Sequence, residues 1–143
     1  MQEVQNHNFA YALPQIADAA QELLARIQHQ YVLFDAPMGA GKTTLIRELI
    51  KQLSPMEFLG SPTFSLVNEY RTYEGGALYH FDLYRLKSPE ELMDIGFDEY
   101  LSQAEWIFIE WPERAWELMP FPHTLIHIKP ENKYERTLEI LNL

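Results

Sequence analysis

Apolar residues follow two different periods along the chain, and these periods predict alternating strands and helices. Two short apolar runs, "YVLF" at 31–34 and the centre of "EWIFIE" at 105–110, are typical of strands covered on both faces. Helical spacing predicts one helix in "PQIADAAQELLARIQHQ", residues 14–30, and another in "TTLIRELIKQL", residues 43–53. The apolar face of the first helix comprises Ile16, Ala19, Ala20, Leu23, Leu24 and Ile27.

Antiparallel strand pairs are expected further along. "FSLVNEYRTY" (64–73) and "ALYHFDLYRL" (77–86) are rich in aromatic and β-branched residues and flank "EGG", which indicates a hairpin turn. "HTLIHIKP" (123–130) and "YERTLEILNL" (134–143) predict two final strands around a turn at "ENK".

Helices are also expected at "SPEELMDIGFDEYL" (88–101), where Ser88 would cap the helix and Pro89 would take its first position, and at "PERAWEL" (112–118). The order of elements predicts an α/β fold. We expect a three-layer sandwich whose central mixed sheet has a parallel core and antiparallel extensions.

Composition narrows the class of protein. The 143 residues are a single-domain length, with no cysteine and therefore no disulfide or thiolate metal site. Neither a signal-peptide layout nor a membrane-length apolar run is present, so a cytoplasmic protein with one domain over 1–143 is expected. With 21 acidic and 11 basic residues, the chain lacks the positive charge by which proteins hold nucleic acid on their own.

The junction between the 31–34 strand and the following helix carries a P-loop pattern. In G-x-x-x-x-G-K-[ST], glycines let backbone N–H groups surround phosphate, the lysine reaches the terminal phosphates, and the hydroxyl binds Mg²⁺. The first position of the pattern is Ala36 rather than glycine. The predicted nucleotide-binding residues are Gly39, Ala40, Gly41, Lys42, Thr43 and Thr44.

A P-loop enzyme also needs an acid on another strand, and two candidates follow predicted strands. Glu110 ends "WIFIE", where it is either the Mg²⁺-binding acid or a solvent-facing carboxylate. Asp82 in "YHFDLYR" either supports the site or has a structural role, in which it serves a turn or pairs with Arg85. Either acid can orient the attacking water. Thr63 in "SPTFSLVNEY" belongs either to a loop that senses the γ-phosphate or to a Ser-Pro-Thr turn.

Taken together, "GAGKTTLIR", "SPTFSLVNEY", "YHFDLYRL", "SPEELMDIGFDEYL" and "FIEWPER" make the chain resemble the TsaE (YjeE) family. These small bacterial P-loop ATPases are required for making threonylcarbamoyladenosine beside the tRNA anticodon. The resemblance implies that ATP is the substrate and Mg²⁺ the cofactor. It also implies that TsaD and TsaB are partners that hold the tRNA and transfer the threonylcarbamoyl group.

The resemblance assigns roles to individual residues. Lys42, Asp82 and Glu110 would be catalytic, and Thr43 with Glu110 would bind the metal. Ser61 and Thr63 would belong to a switch-like loop. Positions that would lie beside the site are Trp111, Lys133 and Arg136.

One departure concerns the start of the loop. The family usually has Gly-Asp-Leu-Gly where this chain has Ala36, Pro37, Met38 and Gly39, and Pro37 has no N–H to donate to phosphate. Two other functions fit a short P-loop chain: a kinase acting on a small molecule, and a nucleotide-sensing adaptor that hardly hydrolyses ATP. Against the kinase, Arg71, Arg85 and Arg114 do not cluster in the sequence as a phosphate lid would require.

Overall fold

The computed structural model describes residues 5–55 and 66–143. Within them, the strands are β1 (Gln5–Ala12), β2 (Tyr31–Asp35), β3 (Val67–Arg71), β4 (Ala77–Asp82), β5 (Trp106–Glu110), β6 (Thr124–Pro130) and β7 (Glu135–Asn142). The helices are α1 (Ile16–Arg26), α2 (Lys42–Leu53), α3 (Pro89–Asp94) and α4 (Phe97–Gln103), together with 3-10 helices at Leu13–Gln15 and Pro112–Leu118.

All seven of these strands form one sheet in the order β1-β7-β6-β2-β5-β4-β3. β2 lies parallel to both β5 and β6, and β4 lies parallel to β5. β7 with β1 extends one end of the sheet and β3 the other, each through antiparallel pairs. The predicted α/β sheet with a parallel core and antiparallel extensions is therefore confirmed.

Helices cover both faces of the sheet, because alternate residues of the central strands point to opposite sides. Val32, Phe34 and Phe108 pack into a core that includes α1 and α2. Leu33, Ile107 and Ile109 pack into a second core with α3, α4 and the Pro112–Leu118 helix. Each fully buried side chain of this size stabilises the fold by about 1.5–3 kcal/mol relative to exposure. The two cores fix β2 and β5 side by side, with their carboxyl ends at one edge.

The prediction of a single helix over 88–101 is wrong. The segment forms two short helices, because Gly96 adopts φ 82°, a left-handed conformation that interrupts a right-handed helix. Ser88 stands at the N-terminal cap position but makes no side-chain capping hydrogen bond. The Glu91 carboxylate accepts the N–H of Lys87 instead, at 2.8 Å.

Three other local features differ from expectation. "PERAWEL" is a 3-10 helix kinked at Ala115. The first α-helix begins at Ile16, after a 3-10 turn, and ends before Ile27, whose backbone is extended. β1, which no pattern predicted, pairs with β7 along its whole length. In the part of the chain that the structure describes, no helix is both long and apolar enough to cross a membrane.

Candidate nucleotide-binding site

The loop between β2 and α2 has the backbone geometry of a phosphate cradle. Gly39 and Gly41 have φ values of 81° and 86°, a region that residues with a Cβ rarely occupy. Gly41 is the N-terminal cap of α2 and provides no side-chain hydrogen bond to it. The first N–H groups of α2, with the positive end of the helix dipole, therefore face the loop.

Ala36 and Pro37 fit into this loop as structural residues. The Ala36 side chain is buried and belongs to the core shared with α1 and α2. The Pro37 carbonyl accepts the N–H of Ala40 at 3.2 Å, which closes the turn. Although Pro37 lacks an N–H, its carbonyl thus helps to shape the loop.

Lys42 lies at the floor of the site and is only 7% exposed. Its ammonium donates to the Ala36 carbonyl at 3.4 Å and lies 3.8 Å from the ring centroid of Trp111, as a cation–π pair. Burial lowers the pKa of Lys42, because removal from water disfavours the charged form. Nearby carboxylates, Glu110 first, act in the opposite direction and favour the ammonium.

Glu110 ends β5 beside the start of α2. In the sheet it is paired with Phe34 of β2 and Asp82 of β4, and it is only 3% exposed. The Thr43 hydroxyl donates to Glu110 Oε1 at 3.4 Å. Of the two alternatives for Glu110, the structure therefore excludes a solvent-facing carboxylate.

Asp82 occupies a more open position. Its Oδ1 accepts the N–H of Tyr84 at 3.1 Å, the turn contact expected of a strand-end aspartate. Asp82 is nevertheless exposed to the same cavity as Glu110. It combines a structural contact with access to the site.

A cavity of about 460 Å³ lies above these groups. It is lined by Pro37, Met38, Gly39, Gly41, Lys42, Thr43, Thr44, Asp82, Tyr84, Glu110 and Trp111. The side chain of Ala40 is buried, and this residue is absent from the lining. The P-loop, the two carboxylates and Trp111 therefore meet in one place.

An aromatic wall closes one side of the cavity. Trp111 adopts φ 57° and ψ 51°, unusual for a residue with a large side chain, and its ring centroid lies 5.1 Å from that of Tyr84. The Arg114 guanidinium lies 5.5 Å from the Tyr84 ring on the outside. Trp111 was predicted beside the site and Tyr84 was not, although Tyr84 lies in the same "HFDLYRL" motif as Asp82.

Arg136 and Lys133, both predicted beside the site, have different surroundings. Arg136 is 7% exposed, and its Nε donates to the Ala40 carbonyl at 2.7 Å. Its Nη1 donates to the carbonyls of Asn132 and Glu135, at 2.8 and 3.1 Å. Lys133 is exposed and has its ammonium 5.7 Å from the Tyr134 ring. Arg136 thus supports the P-loop from behind, and the cavity lining includes neither residue.

Ser61 and Thr63, the predicted switch-like loop, lie outside the described residues.

For the metal, Thr43 and Glu110 offer a hydroxyl and a carboxylate oxygen that already approach each other at 3.4 Å. Mg²⁺ is usually held by one or two such groups together with substrate phosphates and water. Within residues 5–55 and 66–143, no group of three or more acidic, histidine or cysteine side chains forms a separate metal cluster. The donors at the P-loop therefore fit a metal that arrives with a nucleotide.

Comparison with known proteins relates the chain to one family. Residues 10–138 match the family model for the threonylcarbamoyl adenosine biosynthesis protein TsaE. The tRNA threonylcarbamoyladenosine biosynthesis protein TsaE of Haemophilus influenzae is 39% identical over 68% of this chain and 61% of its own length. The Rickettsia felis protein of the same name is 39% identical over 77% of this chain and 64% of its own length. That of Nostoc is 45% identical over 68% and 59%.

The chain thus spans less than two-thirds of the length of these relatives. Among solved structures, the crystal structure of Bacillus subtilis YdiB has the same fold, with a TM-score of 0.73 and 24% identity over 99% of this chain and 88% of that one. The family match covers the P-loop, both carboxylates and the aromatic wall. The chain belongs to the TsaE family of threonylcarbamoyl adenosine biosynthesis proteins.

Proposed function

We propose that this protein is a Mg²⁺-dependent ATPase that supports the transfer of a threonylcarbamoyl group to tRNA adenosine. The observation that carries the proposal is the convergence of Lys42, Thr43 and Glu110 at one cavity. These are the three groups that ATP hydrolysis requires: a cation for the phosphates, a hydroxyl for the metal and a carboxylate at the end of a neighbouring strand. Membership of the TsaE family supports the connection to tRNA modification.

Each residue has a role in the proposed reaction. The loop N–H groups bind phosphate oxygens, and the Lys42 ammonium leaves the Ala36 carbonyl to bind the β- and γ-phosphates. When bound, Mg²⁺ neutralises charge that develops on the transferred phosphoryl group. Thr43 and Glu110 would hold it, and Glu110 or Asp82 orients the water for in-line attack.

Charge distribution supports a role beside partners that hold the tRNA. Besides the buried Glu110, residues 88–121 contain eight acidic residues and one basic residue, so this part of the surface repels nucleic acid. We infer that TsaD and TsaB bind the tRNA and transfer the threonylcarbamoyl group, and that this protein acts in the cytoplasm with them. Weak hydrolysis alone and faster hydrolysis with the partners are expected, because the described residues place no arginine in the cavity lining to complete the site.

Phosphate release from ATP tests the proposal. Lys42→Ala and Glu110→Ala are each expected to lower the hydrolysis rate on the order of 100-fold, because the first removes a cation from the phosphates and the second removes the carboxylate proposed to hold the metal or orient the water. Lys51→Ala is the control for the lysine, since Lys51 lies on the same helix and is exposed. Measurement with and without TsaB and TsaD tests the partners.

The outcomes separate the alternatives. ATP binding without phosphate release, alone or with partners, would indicate a nucleotide-sensing adaptor. Transfer of labelled phosphate to a small molecule would indicate a kinase. Equal hydrolysis rates with and without TsaB and TsaD would contradict the proposed dependence on partners.

A further inference from the structure

Among the residues that the structure describes, His80 makes the shortest polar contact of the Glu110 carboxylate. His80 lies in β4, where it is paired with Phe108 of β5, two residues before Glu110. Paired residues of neighbouring strands share a face of the sheet, and so do residues two apart on one strand. His80, Phe108 and Glu110 therefore all point to the face that α2 covers. The distance from His80 Nε2 to Glu110 Oε2 is 2.6 Å.

The two oxygens of Glu110 have different partners. Oε2 faces His80 at 2.6 Å, and Oε1 faces the Thr43 hydroxyl at 3.4 Å. The first distance is that of a short hydrogen bond, and the second is near the long limit. Because a carboxylate only accepts hydrogen bonds, His80 Nε2 donates. Oε1 is thus the oxygen that is free to exchange its weak partner for a stronger one.

Burial makes this arrangement rigid. The side chains of His80 and Glu110 are 12% and 4% exposed, so water has little access to replace either partner. A side chain held by a short buried hydrogen bond keeps one orientation, and oxygen or nitrogen ligands of metals are commonly fixed in this way by a neighbouring group. Without the histidine, the Glu110 carboxyl group would be free to rotate about its last torsion angle, and neither oxygen would be assigned to the P-loop.

We propose that His80 is a positioning residue that holds Glu110 through Oε2 and thereby directs Oε1 alone toward Thr43. Glu110 then acts through one oxygen rather than two. The proposal rests on the proposed function, since it assigns to Glu110 a single-oxygen contact with the metal of a bound Mg²⁺–nucleotide. In the sequence, His80 stands out only as lying two residues before Asp82; the partner that matters is on the next strand.

Calorimetric titration with ADP and Mg²⁺ tests this role without relying on catalysis. His80→Leu removes the hydrogen-bond donor and puts an apolar side chain of similar length in its place. We expect the apparent Kd for Mg²⁺ in the presence of ADP to rise about 10- to 100-fold, the usual effect of losing a group that orients a metal ligand. ADP binding in EDTA should stay the same, because the P-loop is untouched. His80→Gln places an amide donor near the position of Nε2 and should restore most of the Mg²⁺ affinity.

His7→Leu, on the edge strand β1, is the matched control and should leave both affinities unchanged. If His80→Leu does not fold, His80→Asn replaces it, because its shorter amide cannot reach Oε2 and should show the same loss. Equal Mg²⁺ affinity in wild type and His80→Leu would overturn the positioning role alone. An equal loss of ADP binding in EDTA would also overturn the positioning role, because it would indicate a general structural role for His80. Wild-type ADP binding that does not respond to Mg²⁺ would overturn both this inference and the proposed function.

Discussion

Replacing Arg136 by methionine is expected to destabilise the fold and to loosen the P-loop without touching the phosphate-binding side chains. Arg136 Nε donates to the Ala40 carbonyl at 2.7 Å in a buried environment. The same guanidinium donates to the carbonyls of Asn132 and Glu135 in the turn between β6 and β7. Methionine retains the apolar part of the side chain and removes all three hydrogen bonds.

The size of the effect follows from these contacts. A hydrogen bond from a charged donor contributes about 1.5–3 kcal/mol, and a buried acceptor left without a partner costs a further 1–3 kcal/mol or so. The two turn carbonyls regain water and contribute less. We therefore expect a loss of about 3 kcal/mol in the free energy of unfolding, which lowers Tm by about 10 °C for a chain of this length.

Urea unfolding without nucleotide is the primary assay, followed by ADP titration. Arg136→Lys keeps one donor, so its stability should lie between those of wild type and Arg136→Met. Lys129→Met, an exposed cation at the end of β6, should change stability by less than about 0.5 kcal/mol. A direct contact between Arg136 and nucleotide, the expectation from sequence, predicts the opposite pattern: weaker ADP binding with unchanged stability. That pattern would refute a structural role for Arg136 behind the P-loop.

Two further predictions concern stability away from the site. Burial lowers the pKa of His123, while its Nδ1–H donates to the Pro120 carbonyl at 2.8 Å. The unfolded chain therefore takes up a proton more readily than the folded one, so stability is complete above about pH 6.5 and falls as the pH drops below it. Urea midpoints at about pH 7.5 and pH 5.5 should differ less in His123→Asn, which keeps a donor but does not titrate; an unchanged pH dependence would exclude His123 as its source. At the β3–β4 turn, Gly76→Ala would place a Cβ 2.9 Å from the Cβ of Glu105 and should cost about 1–3 kcal/mol. Gly75→Ala meets no atom within 4 Å, so its loss comes from the backbone strain of φ 90° alone. Thermal unfolding measures the loss in Gly76→Ala, and an unchanged Tm would contradict the steric reasoning.

The parallel centre of the sheet was predictable because its strands combine a strong pattern with burial on both faces. β2 and β5 are short apolar runs of strand length, and β2 is also followed by a glycine-bearing loop and an amphipathic helix, which leaves few alternatives for it. β1 was not predictable in this way. Its sequence, "QNHNFAYA", lacks a clear alternation, and the strand depends on pairing with β7 at the far end of the chain. Pairings of this kind are tertiary and leave little local signal.

The break between α3 and α4 is the opposite case, because the helical pattern in the sequence continues across the position where the helix ends. Ser88, Pro89 and two glutamates favour a helix start, and the apolar spacing continues past Gly96. Glycine costs only about 1 kcal/mol inside a helix, so its presence alone does not predict a stop. Gly96 adopts a left-handed conformation between the two helices, and Leu92 of α3 and Phe97 of α4 both pack into the same core.

The residues of the site differ in the same way: some belong to a local sequence motif, and others are brought to the site only by the tertiary fold. The P-loop is a contiguous segment, so the sequence alone predicts Gly39, Gly41 and Lys42 as its members, and both glycines adopt positive φ values. The residues that hold its parts in position come from distant segments: His80 on β4 fixes an acid on β5, and Arg136 on β7 fixes the loop itself. Each acts through a hydrogen bond to a group that would otherwise be buried and unpaired, which makes such residues costly to replace but gives them no motif of their own. A P-loop sequence therefore identifies the loop that we propose binds phosphate, whereas the positions of Glu110 Oε1 and of the loop itself depend on the order of strands in the sheet.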